Sequence, residues 1–186
     1  LVPGPEGWAA VMEYLPGHSR SRIDTVPELV DAARKTADVL HHVWSARGWL
    51  HRDVKPENIR FLPRGRVVLP DWHLAAPPDP VRDAGYLVGT PAYLAPEAFA
   101  AADLDDRSDQ YSLGITMFRW WCGRLPFRER TIERLAEAHL SRELPALVGM
   151  PDALAHVVRR MTAKYPDERY HDWVDVLDAL DEVADG

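Results

Sequence analysis

His51-Arg52-Asp53-Val54-Lys55-Pro56-Glu57-Asn58 is the stretch on which the reading of this chain turns. It sets a carboxylate at Asp53, a cation two residues later at Lys55 and an amide oxygen at Asn58, and a second carboxylate, Asp71, follows downstream. Phosphoryl transfer needs this combination: a carboxylate to orient an attacking hydroxyl, a positive charge beside the migrating group, and oxygen ligands for magnesium. Taken singly, each residue reads more readily as a solvated loop charge or a capping side chain. Their joint spacing is what departs from that reading.

Outward from this stretch the chain organises itself on both sides. Upstream, Thr25 and Glu28 have capping-box spacing, Pro27 suits a first helical turn, and Val30, Ala33, Ala37, Leu40 and Trp44 step along one helical face until Gly48. Earlier still, Trp8 to Tyr14 reads as a strand closed by Pro16-Gly17. Downstream, Ile59 to Leu62 and Val67 to Leu69 flank Pro63-Arg64-Gly65 and predict a small hairpin. From Trp72 to Pro96 neither periodicity holds, and five prolines and two glycines interrupt the stretch, which predicts a long functional loop. After Asp105, Tyr111, Leu113, Ile115, Met117, Phe118, Trp120 and Trp121 wrap every side of a helical window ended by Gly123, so this helix is expected in the middle of the fold. Three further helices are expected near Thr131 to Leu140, Asp152 to Met161 and His171 to Val183. The predicted fold is mainly α, a helical bundle around a buried central helix with a small β-hairpin.

Composition bounds the function. The 186 residues, 46% hydrophobic and 27% charged, suffice for one domain. With 22 basic and 29 acidic groups the net charge is −7, which argues against nucleic acid as partner. The one cysteine, Cys122, allows neither an internal disulfide nor a cysteine-based zinc site and suits the cytoplasm. No window reaches the roughly 18 apolar residues of a membrane span, so any tether is expected outside this stretch. The histidines, including His41-His42, lack metal-ligand spacing and read as surface or packing residues. The chain opens on Leu1 ahead of a strand-like run, which predicts a segment of a longer polypeptide; a chain complete as it stands is the other reading.

The octet resembles the catalytic loop of eukaryotic-type protein kinases, and Lys55 two positions after Asp53 resembles the serine/threonine branch. Gly89-Thr90-Pro91-Ala92-Tyr93-Leu94-Ala95-Pro96-Glu97 is similar to the end of a kinase activation segment, Asp109-Gln110-Tyr111-Ser112-Leu113-Gly114 to the start of the central helix, and Arg169 to the arginine that pairs with the segment's glutamate, here Glu97. The resemblance runs from hinge to last helix and implies a kinase C-terminal lobe. Residues 1–17 would be hinge strand and linker, 51–58 the catalytic loop, 71–97 the activation segment and 98–186 the helical subdomain.

Through that resemblance Asp53 is the catalytic base, Lys55 steadies the transferring phosphoryl, Thr90 bridges the two, and Arg52 meets a phosphorylated or acidic loop group. Asn58 and Asp71 would hold Mg²⁺, with Mn²⁺ as an alternative. Met12, Glu13, Tyr14 and Leu15 would border the adenine of ATP, with Met12 as gatekeeper, and Arg60 would lie beneath it. His51, Trp72, Glu97, Asp109 and Arg169 are implied to be structural, although Asp109 also reads as an ordinary helix-start carboxylate. Glu57 resembles a position that in some members attracts basic residues upstream of the target hydroxyl, and it also reads as a solvated carboxylate.

Several features depart from the family pattern. The glycine-rich phosphate cover, the strand lysine and the helix glutamate of an N-terminal lobe are not found in the sequence, so this chain alone is expected to be inactive and to need its own N-lobe as partner. His73 stands where the family has glycine, and a Cβ at positive φ costs about 1–2 kcal/mol. Arg60 stands where an apolar side chain meets adenine, either stacking on the base or swinging out. Between Asp71 and Thr90 the only hydroxyl is Tyr86, so Asp79 or Asp83 becomes the expected source of negative charge facing Arg52. The function implied is γ-phosphate transfer from ATP to a protein hydroxyl; the alternative is a pseudokinase or lobe-deleted scaffold that binds partners without transfer. Oligomeric state is not legible from these residues.

Overall fold

A computed structural model describes residues 2–4, 7–9, 17–79 and 87–186. Strand β1 (Val2–Gly4) pairs antiparallel with β2 (Gly7–Ala9), Pro3 facing Trp8. The strand expected over Trp8 to Tyr14 is thus seen in its first two residues, with a partner that the sequence reading did not anticipate. Met12, Glu13, Tyr14 and Leu15 lie outside the described residues.

Helix α1 (Val26–Arg47) starts at an extended Thr25 and stops at Gly48, whose φ of 62° is the left-handed state glycine reaches without steric cost. The expected capping box does not form: the Thr25 side chain makes no cap bond, and Glu28 lies 3.8 Å from Arg20 instead. The predicted face of Val30, Ala33, Ala37 and Leu40 is buried, with Trp44 packed at its edge. Next, β3 (Arg60–Phe61) and β4 (Val67–Val68) form the expected hairpin in the register Arg60 to Val68 and Phe61 to Val67. Its turn, Pro63–Gly65, places Arg64 and Gly65 at positive φ.

The short helix α2 (Pro96–Phe99) leads to α3 (Asp106–Cys122), the axis of the fold. Leu113, Met117, Phe118 and Trp120 on α3 meet α1, Leu154, Val158 and Met161 in one core, and each large side chain fully removed from water contributes about 1.5–3 kcal/mol. Asp105 caps α3 by accepting from the Arg107 N–H at 3.0 Å, and Gly123 ends it at φ 66°. Gly114 lets the next layer approach, since a Cβ there would stand 2.7 Å from Thr162 Cγ2 and 3.1 Å from Met161 Cβ. The outer layer is α4 (Ile132–Ser141), α5 (Asp152–Met161) and α6 (Trp173–Asp185), the last lying along α1. Helix α6 begins two residues later than its apolar pattern suggests because Asp172 caps it, accepting from Val174 N–H at 2.8 Å. The mainly α architecture around one buried helix, with a small hairpin beside it, is as the sequence predicts. No helix of the described residues is long and apolar enough to cross a membrane.

Candidate active site

The octet forms a loop between α1 and β3, anchored at its start. Leu50 exchanges backbone hydrogen bonds with Ala76 at 3.0 and 3.2 Å, which brings the segment after Asp71 alongside it. At its first two residues, the buried Asp109 carboxylate accepts from the His51 N–H at 2.6 Å and the Arg52 N–H at 3.0 Å. Asp109 sits one turn inside α3, and the helix-start carboxylate is Asp105, so the capping alternative for Asp109 does not apply. Burial pushes the Asp109 carboxyl above the usual range, against the pull of His51 and the two amides. The same anchor steadies Arg52 at φ 67°, a strained left-handed position for a side-chain-bearing residue. The Arg52 guanidinium Nη2 donates to the Pro77 carbonyl at 2.9 Å. His51 is buried, its imidazole held below the ordinary value by desolvation, and its ring meets the Trp72 indole edge-on at 4.5 Å.

Asp53 is the node of a connected polar network. One carboxylate oxygen accepts from Thr90 Oγ1 at 2.6 Å; the other lies 2.7 Å from Lys55 Nζ and accepts from Asn58 Nδ2 at 2.7 Å. Lys55 also donates to Thr90 Oγ1 at 2.6 Å, closing a triangle, and Asn58 Nδ2 reaches the Asp53 carbonyl at 2.9 Å. Burial to 7% exposure favours the neutral acid, but the bonds from Lys55, Thr90 and Asn58 outweigh it and hold the Asp53 carboxyl below its ordinary value. The pocket therefore carries a carboxylate at neutral pH.

Asn58 directs its amide nitrogen to Asp53, so its oxygen is the atom turned elsewhere. Asp71, at φ 71° and half exposed, is bonded to His73 Nδ1. An amide oxygen and a carboxylate are hard donors of the kind that suits magnesium. The cost expected for His73 is not incurred, because the left-handed residue is Asp71 and His73 is not among the positive-φ residues. Trp72 is partly buried with its indole N–H on the Leu69 carbonyl at 2.5 Å, which leaves the ring free to pack on His51. Arg60 points its guanidinium toward the Gly17 carbonyl at 3.4 Å. Asp83 and Tyr86 lie outside the described residues.

The far end of the long loop closes over the octet. Gly89 has a φ of 115°, and a Cβ on it would come within 2.2 Å of the Arg52 carbonyl oxygen. Thr90 follows, then a single turn, Pro91–Tyr93, opened by a proline whose fixed φ suits it. Ser112 Oγ donates to the Tyr93 carbonyl at 2.8 Å. Glu97 is buried against Arg169 in a two-pronged ion pair, both N···O distances 2.7 Å, with Ser108 Oγ adding a third bond at 2.8 Å. Gly89→Ala is expected to lower unfolding stability by about 2 kcal/mol or more, from backbone strain and the clash with Arg52 together. Gly149→Ala, at φ 77° with nothing within 4 Å, is the control that carries strain alone, and urea midpoints of the two separate the contributions.

The sequence reading missed a polar stripe on α3. Asp109, Ser112, Thr116 and Arg119 recur at helical spacing on one face; Thr116 Oγ1 lies 3.3 Å from the Val54 carbonyl it donates to, and Arg119 reaches Glu57 and Tyr93. The interval of three, four and three residues was the available signal, hidden by the apolar residues that wrap the helix.

Comparison with known proteins follows the same outline. The family model described as protein kinase domain matches residues 8–178. Serine/threonine-protein kinase Pkn1 of Myxococcus xanthus is 34% identical over 175 residues, 86% of this chain and 25% of that protein. Serine/threonine-protein kinase PknL of Mycobacterium tuberculosis is 33% identical over 144 residues, 74% of this chain and 36% of that protein. The probable serine/threonine-protein kinase pknA2 of Bifidobacterium longum is 32% identical over 186 residues, 94% of this chain and 24% of that protein. The chain thus spans between about a quarter and about a third of the length of these relatives.

Proposed function

This chain belongs to the protein kinase family, and from that premise we propose that it is the C-terminal lobe of an ATP-dependent serine/threonine kinase that phosphorylates a protein hydroxyl. The observation that carries the proposal is the Asp53 network, in which Lys55 and Asn58 of one loop and Thr90 of another converge on a single ionised carboxylate. The Asp53 carboxylate orients the substrate hydroxyl and takes its proton as the oxygen attacks the γ-phosphorus. A carboxylate has lone pairs beyond those used by Thr90, Lys55 and Asn58, so it can still accept from a substrate. Lys55 offsets the charge that develops on the moving phosphoryl group, and Thr90 fixes its ammonium against Asp53. Asn58 and Asp71 would supply oxygens for magnesium. Magnesium held there would offset the negative charge of the phosphates, and ATP would give up its γ-phosphoryl group as the bond from γ-phosphorus to the β-phosphate oxygen breaks and ADP departs. Glu97 and Arg169 keep the end of the long loop seated, and Asp109 keeps the catalytic loop in its strained form.

Activity belongs to the protein in which this lobe is joined to an N-terminal lobe. That protein is expected to transfer γ-phosphate to serine or threonine of a protein acceptor and to gain thermal stability from Mg²⁺-ATP, by about 2.7 kcal/mol at a hundredfold excess over Kd. Absence of both effects overturns the proposal. A second reading, a scaffold without transfer, draws on one observation: His73 engages the Asp71 carboxylate that magnesium would need. Nucleotide binding without transfer would favour it.

A further inference from the structure

The polar stripe of α3 ends at Arg119, whose guanidinium joins the two walls beside Asp53. Its Nη2 lies 2.6 Å from Glu57 Oε1 on the catalytic loop, and its Nη1 donates to the Tyr93 hydroxyl on the turn that follows Thr90. The same guanidinium carbon lies 5.9 Å from the centre of the Tyr93 ring. Burial raises the Tyr93 phenol above its ordinary value, with Arg119 opposing the shift and Glu57 and Asp53 adding to it. Glu57 shares a short loop with Asp53, and Tyr93 lies on the turn after Thr90, which is bonded to Asp53, so residues flanking a hydroxyl brought to Asp53 come within reach of this surface.

The charge of this surface decides what it accepts. The Glu57 side chain is 49% exposed and that of Arg119 24%, so both heads remain open to a visiting group. A lone carboxylate here would attract lysine or arginine. With a guanidinium already on it, the carboxylate has no net charge to offer, and an incoming cation meets Arg119 as a like charge. An incoming carboxylate instead finds a guanidinium whose fork of donors is only partly used.

We propose that Arg119 is a specificity-determining residue, which makes this site disfavour cationic residues beside the accepting hydroxyl and take peptides flanked by neutral or acidic ones. The proposal rests on the phosphoryl-transfer reading. It is tested with the full-length protein and three peptides that share one serine and differ only in flanking arginine, alanine or glutamate. The alanine and glutamate peptides are expected to exceed the arginine peptide about tenfold or more in kcat/KM. Arg119→Glu is expected to reverse the order through KM rather than kcat, and combining it with Glu57→Arg, which rebuilds the pair in the opposite sense, to restore it. Arg119→Gln, which leaves Glu57 as a lone carboxylate, covers the case of an unfolded Arg119→Glu variant and should shift the preference toward the arginine peptide. A wild-type preference for arginine, or a ratio unmoved in folded variants, overturns the inference. Fluorescence anisotropy of the same peptides on the Asp53→Asn protein separates the two claims. Ordered binding without any transfer in the wild type would refute the kinase reading and leave the surface assignment standing; transfer without order would do the reverse.

Discussion

Asp53→Asn in the full-length protein is expected to lower phosphoryl transfer by about 10²- to 10⁴-fold, the usual contribution of a positioned acid or base. The amide keeps the shape of the carboxylate but loses its charge and its proton affinity. It also turns one acceptor into a donor amid Lys55, Thr90 and Asn58, three groups that all present hydrogens to Asp53. Phosphate incorporation into a protein acceptor measures the effect, and far-ultraviolet circular dichroism verifies that the fold persists. Undiminished transfer in a folded variant would remove Asp53 from the mechanism. The carboxyl is held below its ordinary value, so its contribution to folding is complete above the unfolded carboxylate range near pH ~3.9. That contribution disappears only as pH falls through the lower folded value, where the unfolded chain binds the extra proton first.

Arg169→Ala is expected to cost about 3–5 kcal/mol of stability, because it leaves one member of a buried ion pair without its counter-charge. The side chains are 0% exposed at Arg169 and 5% at Glu97, so the carboxylate left behind sits in a buried site. The guanidinium also donates to the carbonyls of Ala163 and Arg107, at 2.9 and 2.8 Å, and lies over the Tyr111 ring at 5.0 Å. Its removal therefore orphans several acceptors together with the Glu97 carboxylate, to which Ser108 remains bonded. For a domain of this size the loss corresponds to roughly 10 °C in Tm. Arg34→Ala provides the contrast, since the Arg34–Asp181 pair is about half exposed on both sides and should contribute no more than ~1 kcal/mol. Differential scanning calorimetry of both variants tests the comparison, and similar melting points would show that the pair at Glu97 is not buried in solution.

The octet, the hairpin, the helix ends at Gly48 and Gly123 and the burial of α3 were all legible in the linear chain. These features depend on interactions within a few residues, where a proline, a left-handed glycine or the period of the apolar residues sets the outcome. Thr25 shows the limit even locally: its capping partner Glu28 has an arginine within reach, and a charge attraction from outside the helix competes with the cap.

What the linear chain determined, then, was the class of fold and the residue types of the loop at 51–58. Tertiary structure decided which polar groups meet. Asp109 could have been a cap or an anchor; only its placement against residues 51 and 52, more than fifty positions away, made it an anchor. Arg119 lies in a run of apolar residues that signals burial and nothing more, and its partners Glu57 and Tyr93 come from two other segments. A backbone state is chosen over a few bonds, but a charge is satisfied by whatever the folded chain brings within about 3 Å of it, and no local pattern encodes that partner.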